Sequence, residues 1–259
     1  MNAIDLNADV GEMHADLDAR IVEVVTSVNI ACGGHAGDDA SMRRVATLAA
    51  ERDVRIGAHP SYEDTAGFGR VRQDVPTPVL TAQIVAQIER LAHVSPAGVD
   101  YVKPHGALYH AAATDLAVAE ALVAAVLTAS ERLGTRLSLM GQPRSLYVES
   151  AAAAGTTTIL EGFADRAYLA DGRLVPRSEP GAVLSDTHDV VRQVPALLSA
   201  YWTSGLARGE VVTVDGRVIA MRAESVCVHS DTPGSADLAR RIRDHLEESG
   251  IVVRARPWT

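Results

Sequence analysis

The sequence predicts an α/β protein, an irregular (β/α) barrel of seven strands. Three observations carry that expectation. Short apolar runs that read as strands alternate with stretches of helical periodicity along the whole chain, the rhythm of a parallel sheet. At least five of those runs end in His, Asp or Glu beside Gly or Pro, and barrels gather functional side chains from many strand ends on one face. No GxGxxG follows the first strand, which weighs against an open, doubly wound dinucleotide sheet.

The first strand is expected near residues 3–9. Alternation puts Asp5, Asn7 and Asp9 on one face and Ile4, Leu6 and Ala8 on the other; Gly11 and Glu12 end it. A second strand near 26–31 opens into the Gly-rich turn that carries Cys32, His35 and Asp38. The helix expected over 38–52 starts on Asp38-Asp39, a suitable N-cap, with Met42, Val45, Ala46 and Leu48 at helical spacing. The third strand, near 54–59, ends on His59-Pro60, with Arg55, Gly57 and His59 on one face. After Pro76 and Pro78, residues 78–93 carry a stripe of Leu80, Ile84, Ile88 and Leu91.

The fourth strand, near 99–105, places Tyr101, Lys103 and His105 together. An Ala-rich helix over 115–133 stops before Gly134. A fifth strand near 136–140, a helix over 143–154 and a sixth strand near 156–161 lead to the charged run Glu161, Asp165 and Arg166. Asp171-Gly172 marks a small excursion. A helix is expected over 187–205, and Val214-Asp215-Gly216-Arg217 reads as a hairpin turn. The seventh strand, near 224–229, ends at His229 and Asp231, before a helix over 235–249. Residues 1–259 are expected to form a single barrel-like domain.

Composition narrows the function classes. Hydrophobic residues make up 47% of the chain and aromatic residues only 4%, so the core must be built from Ala, Val and Leu. The formal charge of −9 argues against a nucleic-acid or anionic-membrane surface, which needs clustered positive charge. No apolar run of about 18 residues occurs, and Asp5 and Asp9 stand where a signal peptide needs basic and then apolar residues. Cys32 and Cys227 form no CxxC pair, so both are expected as free thiols in a cytoplasmic protein. Lys103 is the only lysine; the other 23 basic residues are arginines. A compact, tunable ammonium has been kept at one strand end, where an arginine would not be equivalent.

Taken together, the runs Asp5–Glu12, Asn29–Asp38, Gly57–Arg70, Lys103–Tyr109, Glu161–Tyr168 and Val228–Asp231 resemble, in order, the motifs of the LamB/YcsF family. Glu63, Val71 and Ser230 depart from the pattern, where Pro, Arg and Gly are usual. The resemblance implies a TIM-like barrel similar to those of sugar deacetylases. It implies the A component of a prokaryotic ATP-dependent 5-oxoprolinase, which opens 5-oxo-L-proline to L-glutamate with ATP hydrolysis beside two further subunits, B and C.

Such chemistry needs donors for developing negative charge and a base. Lys103 is the candidate charge stabiliser; its structural alternative is an ion pair with Asp5 or Asp9. Asp9 is the candidate general base or cation ligand, and His59 and His105 complete the catalytic set. Asn7, Glu12, His35, Arg70, Glu161, Asp165, Arg166, His229 and Asp231 are the candidate binding residues. His35 suits an anion at a helix entry or a purely turn-forming role. Arg70 and, secondarily, Arg177 suit phosphate or carboxylate. Arg166 either receives a substrate carboxylate or belongs to an ion network. No Walker A loop surrounds Lys103, so ATP would bind by another arrangement or with help from a partner. Two further readings stay open: a deacetylase or amidase with a divalent cation on Asp9, His59 and His105, and a non-catalytic lactam-binding protein.

Overall fold

A computed structural model describes residues 3–12, 14–177, 179–184, 186–198, 210–228 and 234–255. Strands β1 (Ala3–Val10), β2 (Ser27–Ala31), β3 (Arg55–His59), β4 (Tyr101–Val102), β5 (Ser138–Gly141), β6 (Thr158–Phe163) and β9 (Ser225–Val228) run parallel in that spatial order. β9 also pairs with β1, which closes a seven-stranded barrel. β10 (Val252–Val253) pairs with β1. β7 (Glu210–Val212) and β8 (Val218–Ala220) form an antiparallel hairpin around the Asp-Gly turn. A second excursion turns at Asp171-Gly172, where Tyr168 bridges Leu174.

The helices are α1 (Ala15–Val22), α2 (Asp39–Ala50), α3 (Thr77–Val94), α4 (Gly106–Thr114), α5 (Leu116–Leu133), α6 (Leu146–Ala153), α7 (Thr187–Leu198) and α8 (Ser235–Glu248). Asp38 and Ser41 form a reciprocal capping box at the start of α2. Gly134 ends α5 in the left-handed conformation, φ 64°. No single helix among the described residues is long and apolar enough to cross a membrane.

Strand parity sorts the side chains. The outward residues of β1, Ile4, Leu6, Ala8 and Val10, join the main apolar core. The inward residues Asp5, Asn7 and Asp9 are equally buried but face the barrel axis. In-register pairing sets Asp9 beside Asn29, Asn29 beside Gly57, and Gly57 beside Tyr101. A Cβ on Gly57 would stand 2.3 Å from the Tyr101 ring, so only glycine lets that ring lie across the barrel. Tyr101, Met140 and Ile159 form a separate apolar cluster. Asp5, Asn7, Asp9, Asn29, Lys103 and Glu161, all buried, make much of the remaining described interior polar.

Four elements differ from the sequence expectation. α1, α4 and β10 have no counterpart in it, and residues 199–205 of the expected helix over 187–205 lie outside the described residues. α1, though amphipathic, spans only eight residues, too few to repeat its stripe, and α4 is apolar around most of its circumference. The fourth strand is only two residues long rather than seven. Pro104 has no N–H to give the ladder, although Lys103 N still donates to Ala58 O and His105 N to Pro60 O.

Candidate active site

The polar interior is a continuous chain of hydrogen bonds. Asp5 sits at its lower end and accepts from Thr26 Oγ1 (2.6 Å), from Ser27 Oγ (2.7 Å) and from the Ser225 hydroxyl. Burial raises the Asp5 carboxyl above its usual range, against the pull of those hydrogen bonds. Asn29 Nδ2 donates to Asn7 Oδ1 and to Asp9 Oδ1, each at 2.8 Å, while Asn29 Oδ1 accepts from the Tyr101 hydroxyl at 2.7 Å.

Lys103 lies between two carboxylates. Its Nζ is 2.9 Å from Asp9 Oδ1 and 2.8 Å from Glu161 Oε1, with Cys227 Sγ at 3.1 Å. Burial by itself would lower this ammonium's pKa; the carboxylates, Asp9 first, outweigh it and hold the pKa well above the ordinary lysine value. The expected ion pair with Asp9 is present, with Glu161 as a second counter-ion while Asp5 bonds elsewhere, and Lys103 still lines the cleft. Burial pushes the Cys227 thiol well up despite the neighbouring ammonium, and Cys32 is pushed up to about 12. Both cysteines are free.

Above this layer stand three imidazoles. His59 Nδ1 bonds Lys103 O at 2.8 Å, and His59 Nε2 is 3.0 Å from His105 Nδ1 and 3.5 Å from Asp9 Oδ2. His105 Nε2 bonds Phe68 O at 3.0 Å. Phe68 itself has φ 54°, a strained left-handed setting for an aromatic residue, and this aims its carbonyl at the ring. His35 stacks on His105, centroids 3.7 Å apart and planes 3° apart, and its Nε2 is 3.2 Å from Glu12 Oε1. Burial, then His59, lowers the pKa of His35 to about 3, and burial lowers that of His105 well below the ordinary value. His35 is thus an enclosed ring, 2% exposed, in the Gly-rich turn that leads to α2. Glu12, His35, His59 and His105 bring one ligand atom each within 4.8 Å of one another, so a cation could be held here.

A cleft of about 760 Å³ opens over this floor. Asp9, His59, Lys103 and His105 line it together, as the sequence placed them, with Tyr109, Gln142 and Phe163. Five arginines, Arg70, Arg72, Arg166, Arg173 and Arg177, also line it, so the cleft is cationic in a chain of net charge −9. Arg72 pairs with Asp115 and Arg173 with Asp171. Buried Arg166 donates to Ala182 O and Val175 O, which ties the excursion over the barrel mouth. Glu161 and Arg166 therefore part company, one to the barrel axis and the other to the rim. Asp165 is fully buried, its backbone carbonyl accepting from Leu184 N. His229 and Asp231 lie outside the described residues.

Sequence reasoning passed over Asn29, Gln87, Arg72 and Arg173. Asn29 was open to discovery, since an amide inside an apolar strand on the Asp9 side needs a partner. Gln87 clamps Ser61 by both its backbone groups, accepting from N at 3.0 Å and donating to O at 2.9 Å. A polar residue on an apolar helical stripe gives no hint of that role.

The model of the LamB/YcsF family matches residues 4–258. The chain belongs to the LamB/YcsF family. A Streptomyces coelicolor relative, named as the A component of 5-oxoprolinase, is 48% identical over 97% of this chain and 99% of its own length. The crystal structure of a lactam utilization protein from Thermus thermophilus superposes with a TM-score of 0.85 at 34% identity, covering 98% of this chain and 100% of that one. A family 4 carbohydrate esterase from Streptomyces lividans, 11% identical, reaches a TM-score of 0.50 over 97% of this chain and 91% of its own. That last likeness concerns the barrel alone. In this LamB/YcsF chain β1, β3 and the residue after β4 deliver Asp9, His59 and Lys103 to one end of the barrel.

Proposed function

We propose that the chain is the A component of an ATP-dependent 5-oxoprolinase, which converts 5-oxo-L-proline, ATP and two waters to L-glutamate, ADP and phosphate. The observation that carries the reading is a cationic cleft over a buried Asp9–Lys103–Glu161 array, in a chain that matches relatives of that name over nearly its whole length. Both substrates are anions, a carboxylate and a triphosphate, and guanidinium forks suit both groups.

A lactam is a poor electrophile. Transfer of the γ-phosphoryl group to the lactam oxygen, with ADP leaving, makes the ring carbon attackable by water. Collapse with cleavage of the C–N bond frees the amine and leaves an acyl phosphate, which the second water hydrolyses. In this reading Asp9 or a neutral imidazole at the cleft floor takes the proton from water. The rim arginines, Arg70 and Arg177 among them, receive the carboxylate or phosphate in this reading; both line the cleft. Lys103, neutralised by two carboxylates, holds Asp9 in place and is not the main source of free positive charge.

Two further subunits, B and C, are part of this proposal, as are ATP as co-substrate and a cytoplasmic location. The test is ATP-dependent glutamate release by the purified chain, with and without co-expressed neighbouring gene products. Weak or no turnover alone and full turnover with partners is expected. Full ATP-coupled turnover by the chain alone would refute the partner requirement, and no glutamate release from any combination would refute the activity.

A further inference from the structure

We propose that His59 Nε2 and His105 Nδ1, backed by Asp9 and Glu12, hold a divalent first-row transition-metal ion at the floor of the cleft. The positions of two protons lead to it. A backbone carbonyl only accepts, so the 2.8 Å contact with Lys103 O fixes the proton of His59 on Nδ1. The 3.0 Å contact with Phe68 O fixes that of His105 on Nε2. In neutral rings the two remaining nitrogens, His59 Nε2 and His105 Nδ1, then face each other as lone pairs at 3.0 Å. Two buried lone pairs at that distance repel unless something electrophilic lies between or beside them. The choice is one proton or one metal ion.

Geometry and charge favour the metal. Metal–imidazole bonds of about 2.0–2.1 Å at tetrahedral to right angles put two nitrogens roughly 2.9–3.4 Å apart. The ring planes of His59 and His105 meet at 84°, so their line of intersection offers positions in the plane of both rings. Asp9 Oδ2 is 3.5 Å from the first nitrogen and Glu12 Oε1 is 3.6 Å from the second. Asp9 and Glu161 share the one ammonium, Lys103, and Glu12 stands beside His105, so carboxylates outnumber the ammonium at this floor and favour a cation.

His35 is near enough to be counted with this group, but its plane is parallel to that of His105. An ion in the plane of one ring is out of the plane of the other, so His35 orients Glu12 and does not ligate. Both ligand rings have their far nitrogens on backbone carbonyls, the outer-sphere arrangement that fixes metal-binding histidines. Imidazole with carboxylate suits Zn²⁺, Co²⁺ or a neighbouring ion.

The test needs no substrate and so stands or falls apart from the lactam reading. The full chain is stripped with EDTA, then titrated with Zn²⁺ and, separately, Co²⁺. Tight binding of about one equivalent is expected, with visible ligand-field absorption from Co²⁺ and a higher thermal midpoint. His59→Gln and His105→Gln should abolish that binding, and His35→Gln should weaken it by about 10–100-fold. Imidazole nitrogen NMR of the unsubstituted chain guards against variants that fail to fold. Zn²⁺ should shift His59 Nε2 and His105 Nδ1 while their partner nitrogens stay protonated. No binding of either ion, equal binding by folded His59→Gln, or a shared proton that Zn²⁺ leaves undisturbed would each overturn the proposal.

Discussion

The ammonium of Lys103 stands 2.8 Å from Glu161 Oε1, and neither side chain is more than 2% exposed. The two groups come from the end of β4 and from β6, with β5 between them, so the pair spans the barrel interior rather than one strand-to-strand step. Glu161 Oε2 has no hydrogen-bond partner among the described residues. The only lysine of the chain is thus committed to holding negative charge inside the barrel.

Lys103→Met should therefore unfold more easily. It strands Asp9 and Glu161 as buried carboxylates, and breaking a buried pair from one side costs about 3–5 kcal/mol. Urea midpoints measure the loss. A Lys103→Met/Glu161→Gln double variant should regain part of it. A single variant as stable as the parent would show that the pair contributes nothing to the fold.

Gly57→Ala should also destabilise the barrel. The added methyl would meet the Tyr101 ring at 2.3 Å, and overpacking of this kind costs about 1–3 kcal/mol. Tyr101→Ala in the same chain should relieve the clash, so the two changes should not add. Additive losses in a double-mutant cycle would argue against the contact.

Acid should weaken the fold through His35. Its pKa is lowered to about 3 by burial and then by His59, against about 6.5 in an unfolded chain. The unfolded chain binds more protons in that window, so this contribution is complete above about pH 6.5 and is lost as pH falls toward 3. The slope per ring is at most about 1.4 kcal/mol per pH unit. Asp5, raised by burial, acts in the opposite sense, so the useful comparison is between slopes. Denaturant midpoints from pH 7.5 to 5, taken in EDTA, should fall less steeply in His35→Gln than in the parent.

The thiols offer a simple count. Cys32 and Cys227 are free and buried, and burial pushes both pKa values up. The folded chain should react slowly with a thiol reagent, and the denatured, unreduced chain should yield two thiols. A denatured count of zero would mean that the cysteines are oxidised.

Arg70 is the clearest test of the rim. Its guanidinium is exposed, lies 5.0 Å from the Phe68 ring and lines the cleft. Arg70→Ala in the reconstituted enzyme should raise KM for an anionic substrate by about 10–100-fold, the loss of one charge-assisted hydrogen bond of roughly 1.5–3 kcal/mol. The thermal midpoint should hardly move. Unchanged kinetics would remove Arg70 from the binding surface.

Much of this molecule was legible in the chain alone. Alternation along a strand is a local property, so Asp5, Asn7 and Asp9 could be assigned to one face, and Tyr101, Lys103 and His105 to another, before any fold was known. The polar strand ends foretold a barrel mouth, and Asp9, His59, Lys103 and His105 do line one cleft. What the chain could not reveal is which strand ends meet. The pairing of Lys103 with Glu161 instead of Asp5, the stacking of His35 on His105, and the carbonyls that fix two imidazole tautomers all depend on register between strands and on closure of β9 onto β1. Register and closure are non-local, set by packing of the whole core, and so only the tertiary structure decided them.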